Sequence, residues 1–180
     1  FAPWTVGEPL DVAAMMQPGP RVTVVHLAHL SDSWRQFVLT LLLSRVLAWS
    51  RRQPGTEALR GLLFFDEVSG YMPPHPGNPP TKQPLLTMMK QTRAVGLGVV
   101  LATQNPVDLD YKALSNAGLW AVGRLSTPQD RDRLLTGIGD RTLDDTVAKL
   151  GKRQFMVHEV GRGTSVIESR QTKCLLRGPM

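Results

Sequence analysis

Asp66 and Glu67 close an apolar run, Leu62-Leu63-Phe64-Phe65, and this junction carries the most chemistry in the chain. A short apolar run of this kind predicts a strand buried on both faces, as in a parallel sheet. Such sheets gather ligands at the carboxyl ends of their strands. Two adjacent acids there are costly unless a cation or a reaction uses them. A phosphate chain with Mg2+ would use both. Asp66 would hold the metal through a water, because Mg2+ gives up its hydration reluctantly. Glu67 would act as a general base or orient the attacking water. The plainer alternative is a strand end followed by two solvated acids.

Gln104 follows a second apolar run, Leu97 to Ala102. If the two strands are parallel neighbours, its amide lies beside Asp66. There it can hydrogen-bond both a water and a γ-phosphate oxygen. The competing reading is that Thr103, Gln104 and Asn105 only turn the chain before Pro106. Arg93 precedes this strand, and Arg124 falls within or at the end of another, Leu119 to Leu125. Either cation would suit charge developing on a γ-phosphate, in its own or a neighbouring subunit. The structural reading is equally simple: Arg93 suits a helix end, and Arg124 in an apolar strand needs an ion-pair partner. His26, His29, His75 and His158 have no metal-ligand spacing, and no serine sits in a nucleophile-elbow pattern. The sequence also contains no G-x-x-x-x-G-K-[ST] loop to cradle phosphates.

The elements that would position these residues alternate. Residues 1–20 carry Pro3, Pro9, Pro18 and Pro20 and read as an extended lead-in. Arg21 to Leu27 is β-branched and predicts a strand. A helix follows, capped by Ser31 or Asp32, with Trp34, Phe37, Val38, Leu41, Leu42, Val46 and Trp49 at helical spacing. Pro54-Gly55 stops it. After the acidic pair, a loop from Ser69 to Pro84 holds Pro73, Pro74, Pro76, Pro79, Pro80 and Pro84, which excludes a central strand or a helix interior. A helix then runs to about Ala94 and Gly96 closes it. A short helix near Asp110 to Asn116 precedes Leu119 to Leu125. Thr127-Pro128 opens a helix through Leu135, and another spans Thr142 to Leu150. Gln154 to Val160 and Thr164 to Glu168 flank Gly161-Arg162-Gly163 as a β-hairpin. This order predicts an α/β domain with a mostly parallel sheet, helices on both faces and an antiparallel hairpin added at one edge.

Composition sets wider bounds. With 180 residues, 42% hydrophobic and 20% charged, the chain suits one globular domain rather than a disordered segment. A net charge of +6 and a pI near 10 favour a polyanionic partner only weakly. Cys174 is the sole cysteine, so an intrachain disulfide and a cysteine-rich metal site are excluded. A reducing, cytoplasmic setting is expected. The most apolar helical stretch, Phe37 to Trp49, is interrupted by Thr40, Ser44 and Arg45 and is too short for a membrane span. A start at Phe1 rather than Met suggests a segment of something longer.

Three stretches together resemble the C-terminal half of HerA-like ATPases, P-loop motors related to FtsK and to conjugative coupling proteins. They are LLFFDEVSGYMPP, PLLTMMKQTRAVGLGVVLATQNPVDLD and LSNAGLWAVGRLSTPQDRDRLL, and the resemblance spans roughly Val22 to Leu135. It implies a RecA-like sheet in which Asp66-Glu67 is the Walker B element. Asp66 then takes Mg2+, Glu67 is catalytic, Gln104 is the polar sensor that also meets ATP, and Arg93 and Arg124 lie near a subunit boundary. It further implies a homo-oligomeric ring, a hexamer, that moves or remodels DNA, with a nuclease as a common partner. On this resemblance, residues 21–150 form a partial RecA-like core, incomplete at its N-terminal part, and residues 151–180 form the hairpin and tail. The phosphate-binding strand missing from the chain would lie between Leu97-Ala102 and Leu119-Leu125. Two other readings remain at this stage: an interaction module that kept the fold and lost the nucleotide, and a secretion or conjugation ATPase of the same superfamily.

Overall fold

The computed structural model of the protein describes residues 8–171. Cys174 and the two ends of the chain lie outside them. The described chain divides into two compact units, with the boundary between Asn116 and Ala117.

In the first unit a four-residue helix, α1 (Val12–Met15), is capped by Asp11, whose carboxylate accepts from the Ala14 N–H. The long helix α2 spans Asp32–Ser50. Ser31 occupies its N-cap without a side-chain cap bond, and Asp32 supplies first-turn negative charge to the helix dipole. Its buried stripe is Leu39, Leu42, Leu43, Val46 and Ser50. Of the residues expected at helical spacing, Leu42 and Val46 belong to this stripe, whereas Trp34, Phe37 and Leu41 are exposed. The helix is apolar nearly all round, so periodicity alone does not choose the inward face.

Strand β1 (Gly61–Phe65) pairs in parallel with β2 (Leu97–Leu101), Phe65 lying opposite Leu101. Between them helix α3 (Lys82–Gln91) continues into a 3-10 turn, Thr92–Val95, and Gly96 closes it in the left-handed region at φ 76°. Thr92 is buried, and its hydroxyl lies within hydrogen-bond reach of the carbonyls of Met88 and Leu97, which share its one proton and tie the turn to the strand it feeds. A Cβ on Gly96 would stand 2.3 Å from the Ala58 carbonyl oxygen. The Gly96 carbonyl also accepts from the N–H groups of Arg60 and Gly61, so it starts the β1–β2 ladder. Gly96→Ala is therefore expected to destabilise the unit by about 2–4 kcal/mol, from left-handed strain plus backbone overpacking. The shift of its urea-unfolding midpoint measures this.

Helix α4 (Tyr111–Asn116) completes the unit and packs against α3. The core centres on Leu43, Val68, Met72, Leu85, Met88 and Leu97, each at most 2% exposed. The expectation that β1 is buried on both faces fails. Leu62 and Phe64 are 56% and 61% exposed, and Val100 beside Phe64 is also exposed, so this sheet has one covered face. The strand expected over Arg21 to Leu27 is absent too. The segment joins no ladder, and Val22 and Val24 stand in solvent. β-branched composition favours an extended chain, but a strand exists only through its partner's hydrogen bonds.

In the second unit β3 (Leu119–Val122), β4 (Gln154–Glu159) and β5 (Gly163–Glu168) form an antiparallel sheet in the order β3-β4-β5. Trp120 and Val122 face inward while Leu119 and Ala121 face out, the alternation of a half-buried strand. The hairpin appears as the sequence suggests, with Glu159 opposite Gly163 and Gly161 at φ 82° in the loop. The long mostly parallel sheet is not seen among the described residues. The fold is α/β with a two-stranded parallel sheet and a separate three-stranded antiparallel one. Helix α5 (Pro128–Ile138) begins with Pro at its first position, and the Thr127 hydroxyl accepts from the Asp130 N–H. Helix α6 (Asp144–Lys149) is joined to it by Arg131, whose Nε lies 2.8 Å from Asp144 Oδ1. Leu134, Leu135, Val147, Leu150 and Met156 make the core of this unit. No helix among the described residues is long and apolar enough to cross a membrane.

Candidate active site

The parallel pairing of β1 and β2 brings their carboxyl ends together, and the ladder changes there. The Ala102 N–H donates to the Phe65 carbonyl, and the Ala102 carbonyl accepts from Val68. In a regular parallel ladder that second donor would be residue 67, so one extra residue is inserted at Asp66-Glu67. This is a bulge, a device that re-aims side chains at strand ends. Glu67 adopts φ 50°, the left-handed region that a residue with a Cβ enters at a cost of roughly 1–2 kcal/mol.

The bulge turns the Glu67 carboxylate toward the chain after β2. Gln104 Nε2 donates to Glu67 Oε2 at 3.0 Å, and Ser69 Oγ donates to Glu67 Oε1 at 2.5 Å. Each carboxylate oxygen thus has one protein donor. Glu67 is half-buried, whereas Asp66 and Gln104 are exposed. The Asp66 carboxylate makes no hydrogen bond or ion pair with the other described residues, so its oxygens are available to a hard cation. That suits Mg2+, which commonly takes one or two carboxylates and completes its shell with water and phosphate oxygens.

The two arginines lie on different elements. Arg93 is exposed in the 3-10 turn before β2, at the amino end of the sheet. Four residue steps, about 13 Å, separate that end of β2 from the end that faces the acids. Arg124 belongs to the second unit. It lies beyond the end of β3 and is exposed, so the partner expected for a buried strand arginine is not required.

The loop that begins at the bulge is fixed along its length. Gln36 Nε2 donates to the Gly70 carbonyl, and Thr81 Oγ1 donates to the Tyr71 carbonyl. The Asp110 N–H donates to the Met72 carbonyl. Lys82 Nζ donates to the carbonyls of Pro73 and Gly77 at 2.7 and 2.9 Å and lies 2.7 Å from Asp110 Oδ2. An ammonium has three protons, and all three are used. The Asp110 carboxyl is pushed up by burial, but the hydrogen bonds from Lys82 and the Lys112 N–H, with the lysine charges, hold it net below its ordinary value. Five of the six prolines thus belong to a rigid connection rather than a loose one, and Pro84 lies in the first turn of α3, which begins two residues before the expected end of the loop. Sequence reasoning missed Ser69, Lys82 and Asp110. Only the position of Ser69, two residues past Glu67, hinted at its contact.

No family model matches the sequence, and no curated protein matches it. Solved structures do. The DNA-packaging ATPase B204 from Sulfolobus turreted icosahedral virus aligns with a TM-score of 0.59 at 15% identity, covering 82% of this chain and 66% of that one. B204 from Sulfolobus turreted icosahedral virus 2, a genome packaging NTPase, aligns in its AMP complex with a TM-score of 0.56 at 18% identity, covering 81% and 65%. Its ATP-gammaS complex gives 0.53 at 19% identity, covering 61% and 52%. The likeness is one of fold. The chain spans about half to two thirds of the length of these structures.

Proposed function

We propose that this chain is part of an ATP-hydrolysing motor that acts on DNA, resembling the HerA-like translocases and helicases, and that it supplies the acids for hydrolysis. The observation that carries the reading is the Gln104 amide held on the Glu67 carboxylate at adjoining strand ends. Sequence reasoning set Gln104 beside Asp66 at adjoining strand ends, one residue from the carboxylate that it meets. The fold shared with B204, a DNA-packaging ATPase, supports it further.

In this reading Asp66 holds Mg2+, which would neutralise phosphate charge when bound. Glu67 orients and deprotonates the attacking water, and Gln104 senses the γ-phosphate. The phosphate-binding loop comes from outside these residues, on a strand beside β2 that completes a RecA-like, mostly parallel sheet. Residues 21–150 are the partial core, residues 1–20 a lead-in, and residues 151–180 the hairpin and tail. The complete protein forms a cytoplasmic homo-oligomeric ring, a hexamer, with a nuclease as a further partner. Arg93 or Arg124 then stabilises charge on a γ-phosphate, in its own or a neighbouring subunit.

The test is Mg2+-dependent ATP hydrolysis by the full-length gene product, with and without duplex DNA. DNA-stimulated turnover is the expected result. Partner binding that ignores nucleotide, together with no turnover, would favour the interaction module instead.

A further inference from the structure

We infer that Ser69 is a positioning residue for the water-activating carboxylate of Glu67. The inference rests on the function proposed above. A general base must present one oxygen to a water along a fixed line, and a glutamate has three side-chain torsions to lose before it can. On this protein the torsions are restrained from both sides. Ser69 Oγ holds Oε1 at 2.5 Å and Gln104 Nε2 holds Oε2 at 3.0 Å. The two donors reach the carboxylate from different chain segments, so together they set the plane of the carboxylate as well as its place.

The two donors differ in role. Gln104 is exposed and stands on the turn after β2, free to trade its contact for a phosphate oxygen when nucleotide arrives. Ser69 sits one residue beyond Val68, which is fully buried and bonded to Ala102. The next carbonyls, of Gly70 and Tyr71, are held by Gln36 and Thr81. Ser69 is therefore fixed to the core and keeps its grip while Gln104 changes partner. It also anchors the side chain of a residue whose backbone is in a strained conformation, φ 50°. A strained residue needs surroundings that over-determine it, and the hydroxyl provides part of them.

The experiment compares Ser69→Ala, Ser69→Thr and Glu67→Gln in the full-length protein by steady-state ATP hydrolysis with Mg2+. Ser69→Ala is expected to lower kcat on the order of tenfold with KM unchanged, the mark of an interaction that matters in the transition state. Ser69→Thr, which keeps the hydroxyl, should restore most of the rate. Adding Ser69→Ala to Glu67→Gln should cost nothing further, because both act through one carboxylate. If Glu67→Gln abolishes turnover while Ser69→Ala leaves kcat within about twofold of the parent, the positioning role is overturned and the motor reading stands. A rise in KM with unchanged kcat, or a loss that Ser69→Thr does not restore, also overturns it. No turnover by the unsubstituted protein, or full turnover by Glu67→Gln, sinks the proposed function and this inference together.

Discussion

Glu67→Gln should reduce ATP turnover by roughly 100- to 10,000-fold, the range over which a positioned general base contributes. The substitution keeps the size of the side chain. It also keeps an acceptor oxygen for Gln104 or Ser69, so the bulge and the packing beneath it survive. What goes is the capacity to take a proton from water. Nucleotide affinity should stay close to that of the parent, because in the proposed motor the phosphates are cradled elsewhere, and a trapped ATP complex should accumulate. Single-turnover hydrolysis beside equilibrium binding of a fluorescent ATP analogue separates the two quantities. Turnover within tenfold of the parent would remove Glu67 from the chemistry.

The second large effect is on stability. Lys82→Met should cost about 3–5 kcal/mol, the range for breaking a buried pair by removing one partner. Lys82 and Asp110 have side chains only 7% and 13% exposed. Methionine fills the space of the aliphatic stem, yet it leaves the Pro73 and Gly77 carbonyls and the Asp110 carboxylate without their donor. The acid limb of stability gives a separate check. Asp110 has a folded-state value held below 3.8, so its contribution is present above 3.8 and is lost as the pH falls through the folded value. In Lys82→Met the main cause of that depression is gone. The gap between parent and variant should then be widest near neutrality and narrow below about pH 4. Guanidinium titrations from pH 3 to 7 read both effects. A gap independent of pH would show that the pair contributes nothing through its charges.

The junction of Glu67 and Gln104 was legible in the sequence because its signals are local. An apolar run ending in two acids, and a second ending near an amide, predict a parallel pair with Glu67 and Gln104 at one end, and those side chains do meet. Helix boundaries were readable for the same reason, since Thr127-Pro128 and Gly96 act within a few residues of themselves. The contact of Ser69 was hidden, because it depends on an inserted residue whose backbone sign cannot be read from composition. The fate of Arg21 to Leu27 was hidden differently. Its residues suit a strand, but the ladder that would receive them is a matter of tertiary neighbours. Arg124 looked embedded only because β3 was expected to run three residues further than it does. Lys82 and Asp110 are far apart in sequence, and nothing in either local pattern announces their pairing.

The extra residue between Phe65 and Val68 has a consequence for how this stretch tolerates length variation. Removing one residue there would let the hydrogen-bond ladder run on without interruption, and β1 and β2 would still zip together. The acid that now meets Gln104 would swing to the opposite side of the strand. A single-codon deletion at this spot is expected to keep the β1–β2 pairing and lose the contact between Glu67 and Gln104, so here the spacing of the chain matters as much as the identity of its letters.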